Sequence, residues 1–392
     1  MKYLLPLAIV LGLSSPAYIS AEEPEVEKEK TAESTSGHSP VSSSVSVGSI
    51  PDIREDELAI KVQGKKDRNW VAVPIPMSSP TFGSGLILGG AYFYPQTGEQ
   101  KKSQPASFTG AAAGYTHNKS WFVGAMQQNY WGGDKWRFTG VAGYADFKLT
   151  LVPPEEGSDS GQLDWLVRGG IAEAGISRRI GGKWFVGLAA RYLDITQDLD
   201  LPEDDTDFNI DESVQSPGAS VKLEYDSRDK PTNAYKGQRF DIRAVFSDKS
   251  QHDGGSYTGY YADFFSYHSL TSTVVLAWTA SACKKTGDIP LWDTCRLGLR
   301  GFPVTEYLSR QSIEAQAEVR WRFWRRWGMV AFAGGGRVKD SLGTYGEDET
   351  IPSYGVGIRW MVMESQRINV RIDYARSNNG NSAWYLGVTE AF

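Results

Sequence analysis

From about Trp70 to the end of the chain, apolar and polar residues alternate with a period of two. Over 313–323, Ile313, Ala315, Ala317, Val319, Trp321 and Phe323 share one parity, and Glu314, Gln316, Glu318, Arg320 and Arg322 share the other. Val221, Leu223 and Tyr225 alternate with Lys222, Glu224 and Asp226. Tyr354, Val356, Ile358 and Trp360 alternate with Ser353, Gly355, Gly357 and Arg359. Ile368, Val370, Ile372 and Tyr374 alternate with Asn369, Arg371 and Asp373. Successive side chains of a strand point to opposite faces, so this pattern predicts strands with one apolar and one polar face. Sixteen candidates follow: 69–77, 83–94, 105–117, 121–131, 136–150, 162–179, 183–197, 216–228, 237–248, 255–267, 271–284, 311–324, 327–338, 353–363, 367–376 and 382–392. Fourteen is the other even count the pattern leaves open. The first strand is the weakest because Pro74 and Pro76 interrupt a ladder, which would leave a weak seam against the last strand. The 162–179 segment has uneven parity, and the alternation does not account for Glu173.

Two architectures accept such strands. A soluble sandwich buries the apolar face against a second sheet. A membrane barrel turns that face to lipid and fills its lumen with the polar one. Many of the strands run to ten residues or more, and their polar faces carry Arg and Glu together. Aromatics make up 12% of the chain, with 13 Trp and 19 Tyr, as two interfacial girdles would require. The expected fold is therefore all-β: a transmembrane antiparallel β-barrel over 67–392. Gly132-Gly133-Asp134 and Gly181-Gly182 read as tight turns, whereas 151–161, 198–215, 285–310 and 339–352 read as long loops. Short periplasmic turns and long exterior loops are the usual layout. The acidic stretches 153–156 and 198–211 read as solvated exterior loops, and neither has calcium-loop spacing.

The N-terminus reads as a signal peptide over 1–21: Lys2, an apolar core from Tyr3 to Leu13, and small residues ending at Ala21. Residues 22–66 are polar and contain no aromatic, so they cannot bury enough apolar surface to offset their ordering entropy; a disordered periplasmic segment is expected. After it no run approaches the ~20 apolar residues of a spanning helix. The net charge of -6 carries no basic footprint for nucleic acid. Cys283 and Cys295 are the only cysteines, and in an exported chain they are expected to form a disulfide. Four scattered histidines, His38, His117, His252 and His268, make neither a metal site nor a catalytic triad. No catalytic residue and no cofactor is expected.

Two segments stand apart from generic barrel sequence. One is Tyr225-Asp226-Ser227-Arg228-Asp229-Lys230-Pro231, followed by Gly237; the other is Leu299-Arg300-Gly301-Phe302 in the longest loop. Together they resemble the BamA/TamA-like bacterial surface-antigen superfamily of outer-membrane assembly and translocation barrels. The resemblance spans roughly 70–392, and five candidate strands follow the Arg-Gly-aromatic segment, as in that family's sixteen-strand barrel. It implies that the sixth extracellular loop folds into the lumen, where Arg300 needs a carboxylate partner. The family's Phe-x-Asp-x-Gly strand reads Phe332-Ala333-Gly334-Gly335-Gly336, without the acid, so Glu318 and Asp373 on polar parity are the substitute partners. Ser353-x-Gly355-x-Gly357-x-Arg359 is similar to a family strand, and Gly387 to Phe392 resembles the C-terminal signal read by barrel-assembly machinery, with Glu390 on the apolar parity. The resemblance implies an outer-membrane barrel that assists insertion or translocation of a protein or lipid; a passive pore or structural surface antigen is the alternative. Family members carry several folded periplasmic domains where this chain has about 45 polar residues. A separate periplasmic partner or a client polypeptide, besides outer-membrane lipid, is the expected contact.

Overall fold

The computed structural model describes residues 69–79, 83–151, 163–199, 210–250, 254–301, 305, 307–341, 350–377 and 382–392. The signal peptide read over 1–21, the polar segment 22–66 and Phe302 lie outside them.

Sixteen strands form one sheet. They are β1 Trp70–Ser79, β2 Gly83–Phe93, β3 Phe108–Thr116, β4 Trp121–Trp131, β5 Trp136–Leu151, β6 Leu163–Gly181, β7 Trp184–Leu199 and β8 Ile210–Asp226, then β9 Gly237–Asp248, β10 Ser256–Ser269, β11 Val274–Gly287, β12 Ser309–Trp324, β13 Trp327–Ser341, β14 Ile351–Met363, β15 Ile368–Ser377 and β16 Ser382–Val388. One short helix, α1 Gly98–Ser103, interrupts the β2–β3 connection behind a Thr97 capping box. Every strand pairs antiparallel with its chain neighbours, giving a nearly closed barrel.

The parity of the sequence becomes inside and outside. On β12, Ser312, Glu314, Gln316, Glu318 and Arg320 are buried in the lumen while Ile313, Val319 and Trp321 are exposed on the outer face. A soluble protein would reverse this; in a bilayer the outward apolar face is the favourable one. Rings collect at both ends. At the short-turn end Trp131 pairs with Trp136, Trp184 with Tyr225, and Trp327 with both Trp324 and Trp360. At the long-loop end, Tyr115 faces Trp121 across the ladder and Trp121 stacks on Tyr144 at 5.7 Å.

The lumen corrects one expectation. It is charged over β8 to β15 but apolar over much of β1 to β8, where Ile75, Ile87, Phe122, Met126, Val141 and Leu193 form one buried cluster. Trp292 and Leu308 of the β11–β12 connection join that cluster. This also explains the uneven parity of β6: Trp165 and Ile171 belong to the apolar inner wall, and Glu173 on the same face meets Arg243 at 3.7 Å. Strand ends differ too. β7 and β8 extend to Leu199 and from Ile210, well into the expected loop 198–215, and β16 stops at Val388 rather than 392. Thr389, at φ +72°, breaks the extended path and turns Glu390 into the lumen, against its apolar parity.

Among the described residues no ladder joins β16 back to β1, although the two strands lie side by side. Phe93 N donates to Asn69 O at 2.7 Å, so by antiparallel alternation the odd residues of β1 bond β2 and the even ones face the seam. Pro74 and Pro76 are even. They therefore remove two N–H donors from the free edge of β1. Side chains from both strands fill in instead: Val73, Leu386 and Val388 pack against the buried cluster that holds Ile75.

Candidate functional site

The β11–β12 connection folds back into the barrel and carries Arg300 to the charged half of the lumen. Arg300 is 5% exposed. Its Nη2 donates to Glu318 at 2.6 Å and its Nη1 to Asp373 at 3.0 Å. Nε and Nη2 share Gln316 Oε1 at 3.1 and 2.8 Å. The guanidinium lies 3.4 Å from the centre of the Phe332 ring. A planar, permanently charged fork satisfies this geometry and an ammonium would not. The loop backbone is held as well: Ser353 Oγ donates to Arg300 O, and Gly301 N to Tyr385 OH. Gly301 sits at φ +112°, where only glycine is comfortable.

Glycines make the space. A Cβ at Gly334 would sit 2.4 Å from Ala315 O and 2.9 Å from Gln316 Cβ, so the missing acid of that strand is matched by the neutral acceptor Gln316 on β12. A Cβ at Gly355 would sit 2.5 Å from the Phe332 ring, and one at Gly357 would sit 1.9 Å from Asp373 Oδ1. The Ser353-x-Gly355-x-Gly357-x-Arg359 stretch thus builds one side of the socket: a donor to the loop, room for the ring, room for the carboxylate, and a second arginine.

That second arginine widens the pair into a network. Arg359 Nη1 donates to Asp373 at 2.5 Å and its Nε to Glu390 at 2.7 Å. Arg371 Nη1 donates to Asp373 at 2.7 Å, and Arg320 Nε to Glu318 at 2.6 Å. Four arginines therefore face three carboxylates, and the cluster ties the inner loop to β12, β14, β15 and the residues after β16. Arg320 Nη2 reaches Phe392 O at 2.6 Å, and Gly387 packs against the Arg371 guanidinium.

The Tyr225–Gly237 segment lies elsewhere, at the short-turn end. Tyr225 points outward onto Trp184, with ring centres 5.2 Å apart. Asp226 turns inward and takes Arg228 Nε at 3.0 Å and Arg137 Nη1 at 3.0 Å. Pro231 O accepts from Arg228 Nη1 at 3.3 Å, and Gly237, at φ +102°, lets the chain re-enter β9 against Ser227. Residues 228–236 cross to the β14–β15 turn: Arg367 Nη1 donates to Asp229 at 2.5 Å, Thr232 Oγ1 to Gln366 O at 2.6 Å, and Asn233 Nδ2 to Arg367 O at 3.2 Å. This strap meets the inner network through Arg320, which lies 3.5 Å from Asn233 Oδ1 and 3.4 Å from Ala234 O.

A model of the Omp85 superfamily domain matches residues 108–392. The chain belongs to the Omp85 superfamily. Among solved structures this Omp85 barrel is similar to BamA from Haemophilus ducreyi lacking POTRA domains 1-3, at 12% identity and TM-score 0.51, over 82% of this chain and 70% of that one. It is also similar to CdiB from Escherichia coli, at 12% identity and TM-score 0.53, and to CdiB from Acinetobacter baumannii, at 10% and 0.50. Each match covers 82% of this chain; this Omp85 barrel spans 61% and 58% of those two chains. No curated protein matches it in sequence.

In this Omp85 barrel the Cys283–Cys295 disulfide fastens the start of the inner loop to the inner wall of β11, with Cα atoms 5.8 Å apart. Next to it Asp293 accepts from Lys285 Nζ at 2.6 Å, Arg191 at 2.8 Å and Tyr257 OH at 2.7 Å. Burial alone would raise the Asp293 carboxyl, but Lys285 and Arg191 hold it well below the usual carboxylate range. Closing a loop of this length is worth about 3 kcal/mol. The Cys283→Ser, Cys295→Ser double variant is accordingly expected to unfold at lower temperature and to expose the loop to protease, with Asp293 still holding it in part. An unchanged melting midpoint on heated gels would contradict that.

The strap has a pH dependence of fixed sign. Burial raises the Asp229 carboxyl, and the hydrogen bond from Arg367 together with the Tyr235 N–H outweighs it, leaving it below its ordinary value. Its stabilisation is then complete above about pH 4, the unfolded value, and is lost as pH falls further. Amide exchange at Tyr235, corrected for intrinsic rate, should accelerate as pH falls below about 4, and Asp229→Asn should remove the pH dependence.

Proposed function

We propose that this protein is an outer-membrane barrel that opens between β1 and β16 to insert or pass a protein or lipid client. The observation that carries this reading is the seam. It joins the first and last strands without a ladder, its β1 edge lacks donors at Pro74 and Pro76, and its β16 partner is only seven residues long. A lipid-exposed sheet edge is costly in a bilayer, where each unsatisfied backbone group costs several kcal/mol. Such an edge is a place for another strand to add. The Arg300 network holds Glu390, just beyond the end of β16, so the inner loop and the β16 side of the seam share one set of charges. A passive pore would need a continuous channel, and here the inner loop and the charged network fill part of the lumen. The partners that fit are outer-membrane lipid, a client with a free strand, and barrel-assembly machinery for the chain's own insertion.

The test is a client-folding assay in liposomes with cysteines placed across the seam, Val71→Cys with Val388→Cys. Oxidised protein is expected to lose at least about tenfold of its acceleration over empty liposomes, and reduction should restore it. Equal acceleration by the locked barrel would sink seam opening. No acceleration by the unlocked barrel would leave the structural-antigen reading.

A further inference from the structure

Below the inner loop the lumen holds a cavity of about 270 Å³ with two unlike walls. One wall is apolar: Val71, Val73 and Ile75 of β1, Ile87 of β2 and Met126 of β4. Ile368 and Val388 bring this wall to the seam. The opposite wall is charged. Five cations line it, Arg137, Lys222, Arg228, Arg239 and Arg243, against four carboxylates, Glu173, Glu224, Asp226 and Asp241.

Most of these charges are satisfied by one another. Glu224 takes Arg137 at 2.7 Å, Lys222 at 3.0 Å and Arg239 at 3.2 Å, and Asp241 takes Arg239 at 2.5 Å. Donors are left over on this wall. Arg239 Nε is buried with no hydrogen-bond partner. Lys222 has one carboxylate neighbour for three ammonium hydrogens and keeps 28% of its side chain accessible. Asp134 completes Arg137 from outside the cavity, so the spare donors on this wall are those of Lys222 and Arg239, and the other wall offers only apolar contact. Water answers only the spare donors, because it finds no partners along the aliphatic wall. The volume lies just below the usual range for small-molecule sites, which favours one chain over two.

We propose that this cavity binds a single-chain anionic amphiphile, with its acyl chain along the β1–β4 wall and its carboxylate or phosphate head at Lys222 and Arg239. The site does not depend on seam opening: it exists in the closed barrel and would be occupied whether or not a client is handled. Its position below the β1–β16 edge puts the bound chain against Val388.

Gly89 supplies a clean test. It lines the cavity, and a Cβ built on it meets nothing within 4 Å, so a larger side chain has open space to start into the cavity. Full-length protein in phosphatidylcholine nanodiscs is titrated with radiolabelled laurate, with empty nanodiscs as background. The bound probe is then displaced by unlabelled laurate, by lauroyl-lysophosphatidylglycerol or by dodecanol. A saturable, one-to-one component is expected, displaced about tenfold better by an anionic chain than by dodecanol. Whichever of laurate and the lysolipid displaces more strongly identifies a free acid or a phospholipid fragment as the source. Gly89→Leu should abolish the saturable component. Lys222→Met should weaken laurate by about tenfold and leave dodecanol unchanged, while Glu224 keeps Arg137 and Arg239. Heat-modifiable migration on gels checks that both variants are folded. No saturable binding, or Gly89→Leu protein that is folded and binds as wild type, would overturn the proposal.

Discussion

Arg300→Ala is expected to lower barrel stability by about 3 kcal/mol and to release the inner loop from the lumen. The magnitude follows from what is left behind. Removing one partner of a buried pair costs about 3–5 kcal/mol when the other charge is stranded. Here neither carboxylate is stranded: Asp373 keeps Arg359 and Arg371, and Glu318 keeps Arg320, so the cost falls at the low end of that range. The charge balance shifts from four arginines against three carboxylates to three against three, which spares the variant a new unpaired charge. What is lost is the loop's anchor, including its stacking on Phe332 and both bonds to Gln316. Arg300→Lys should recover little, because one ammonium cannot reach Glu318, Asp373 and Gln316 together in a planar fork. The measurements are the midpoint of heat-modifiable migration and the rate of tryptic cleavage after Arg296, whose side chain is tied to Trp292 O at 2.8 Å. Unchanged values for both would show that Arg300 does not hold the loop. In the client-folding assay the same variant should act more slowly than the unmodified barrel if the loop supports the working conformation.

Gly357→Ala should do comparable damage from the opposite side of the socket, without removing a charge. Its Cβ would lie 1.9 Å from Asp373 Oδ1, 2.7 Å from Ile372 O and 2.9 Å from Arg359 Nη1. Two of these three are backbone or a fully buried carboxylate, so the conflict cannot be relieved by swinging a flexible side chain. Asp373 must move, and it is the carboxylate on which Arg300, Arg359 and Arg371 converge. Overpacking in a close-packed interior costs about 1–3 kcal/mol before any hydrogen bond is counted. The expected signature is that of Arg300→Ala: a lower melting midpoint and a protease-sensitive inner loop. The double variant should be less than additive, since both act on the same pair. Full additivity would mean that the two residues support the barrel independently, and the socket as described would be wrong.

The strands were legible in the sequence because their cause is local. A side-chain period of two needs no knowledge of neighbours, and segments such as 313–323 carry it without a break. The same parity singled out Glu318 and Asp373 as inward carboxylates, since each sits among apolar residues of the opposite face. Which of them reaches Arg300 is a matter of register and loop path, and only the folded barrel decides it. Gln316, Arg359 and Arg371 could have been picked out as inward polar residues, but their convergence on one guanidinium or one carboxylate depends on strands that are distant in sequence. Glu390 was misplaced by its parity because one left-handed residue, Thr389, redirects everything after it. The apolar inner wall of β1 to β8 was hidden for a related reason: a strand apolar on both faces has no alternation to read, and only the tertiary structure shows that its second face meets Trp292 and Leu308 rather than lipid. The prolines of β1 signalled a weak strand, yet that their missing donors fall on the open edge is set by the pairing of Asn69 with Phe93, a long-range hydrogen bond that no local pattern determines.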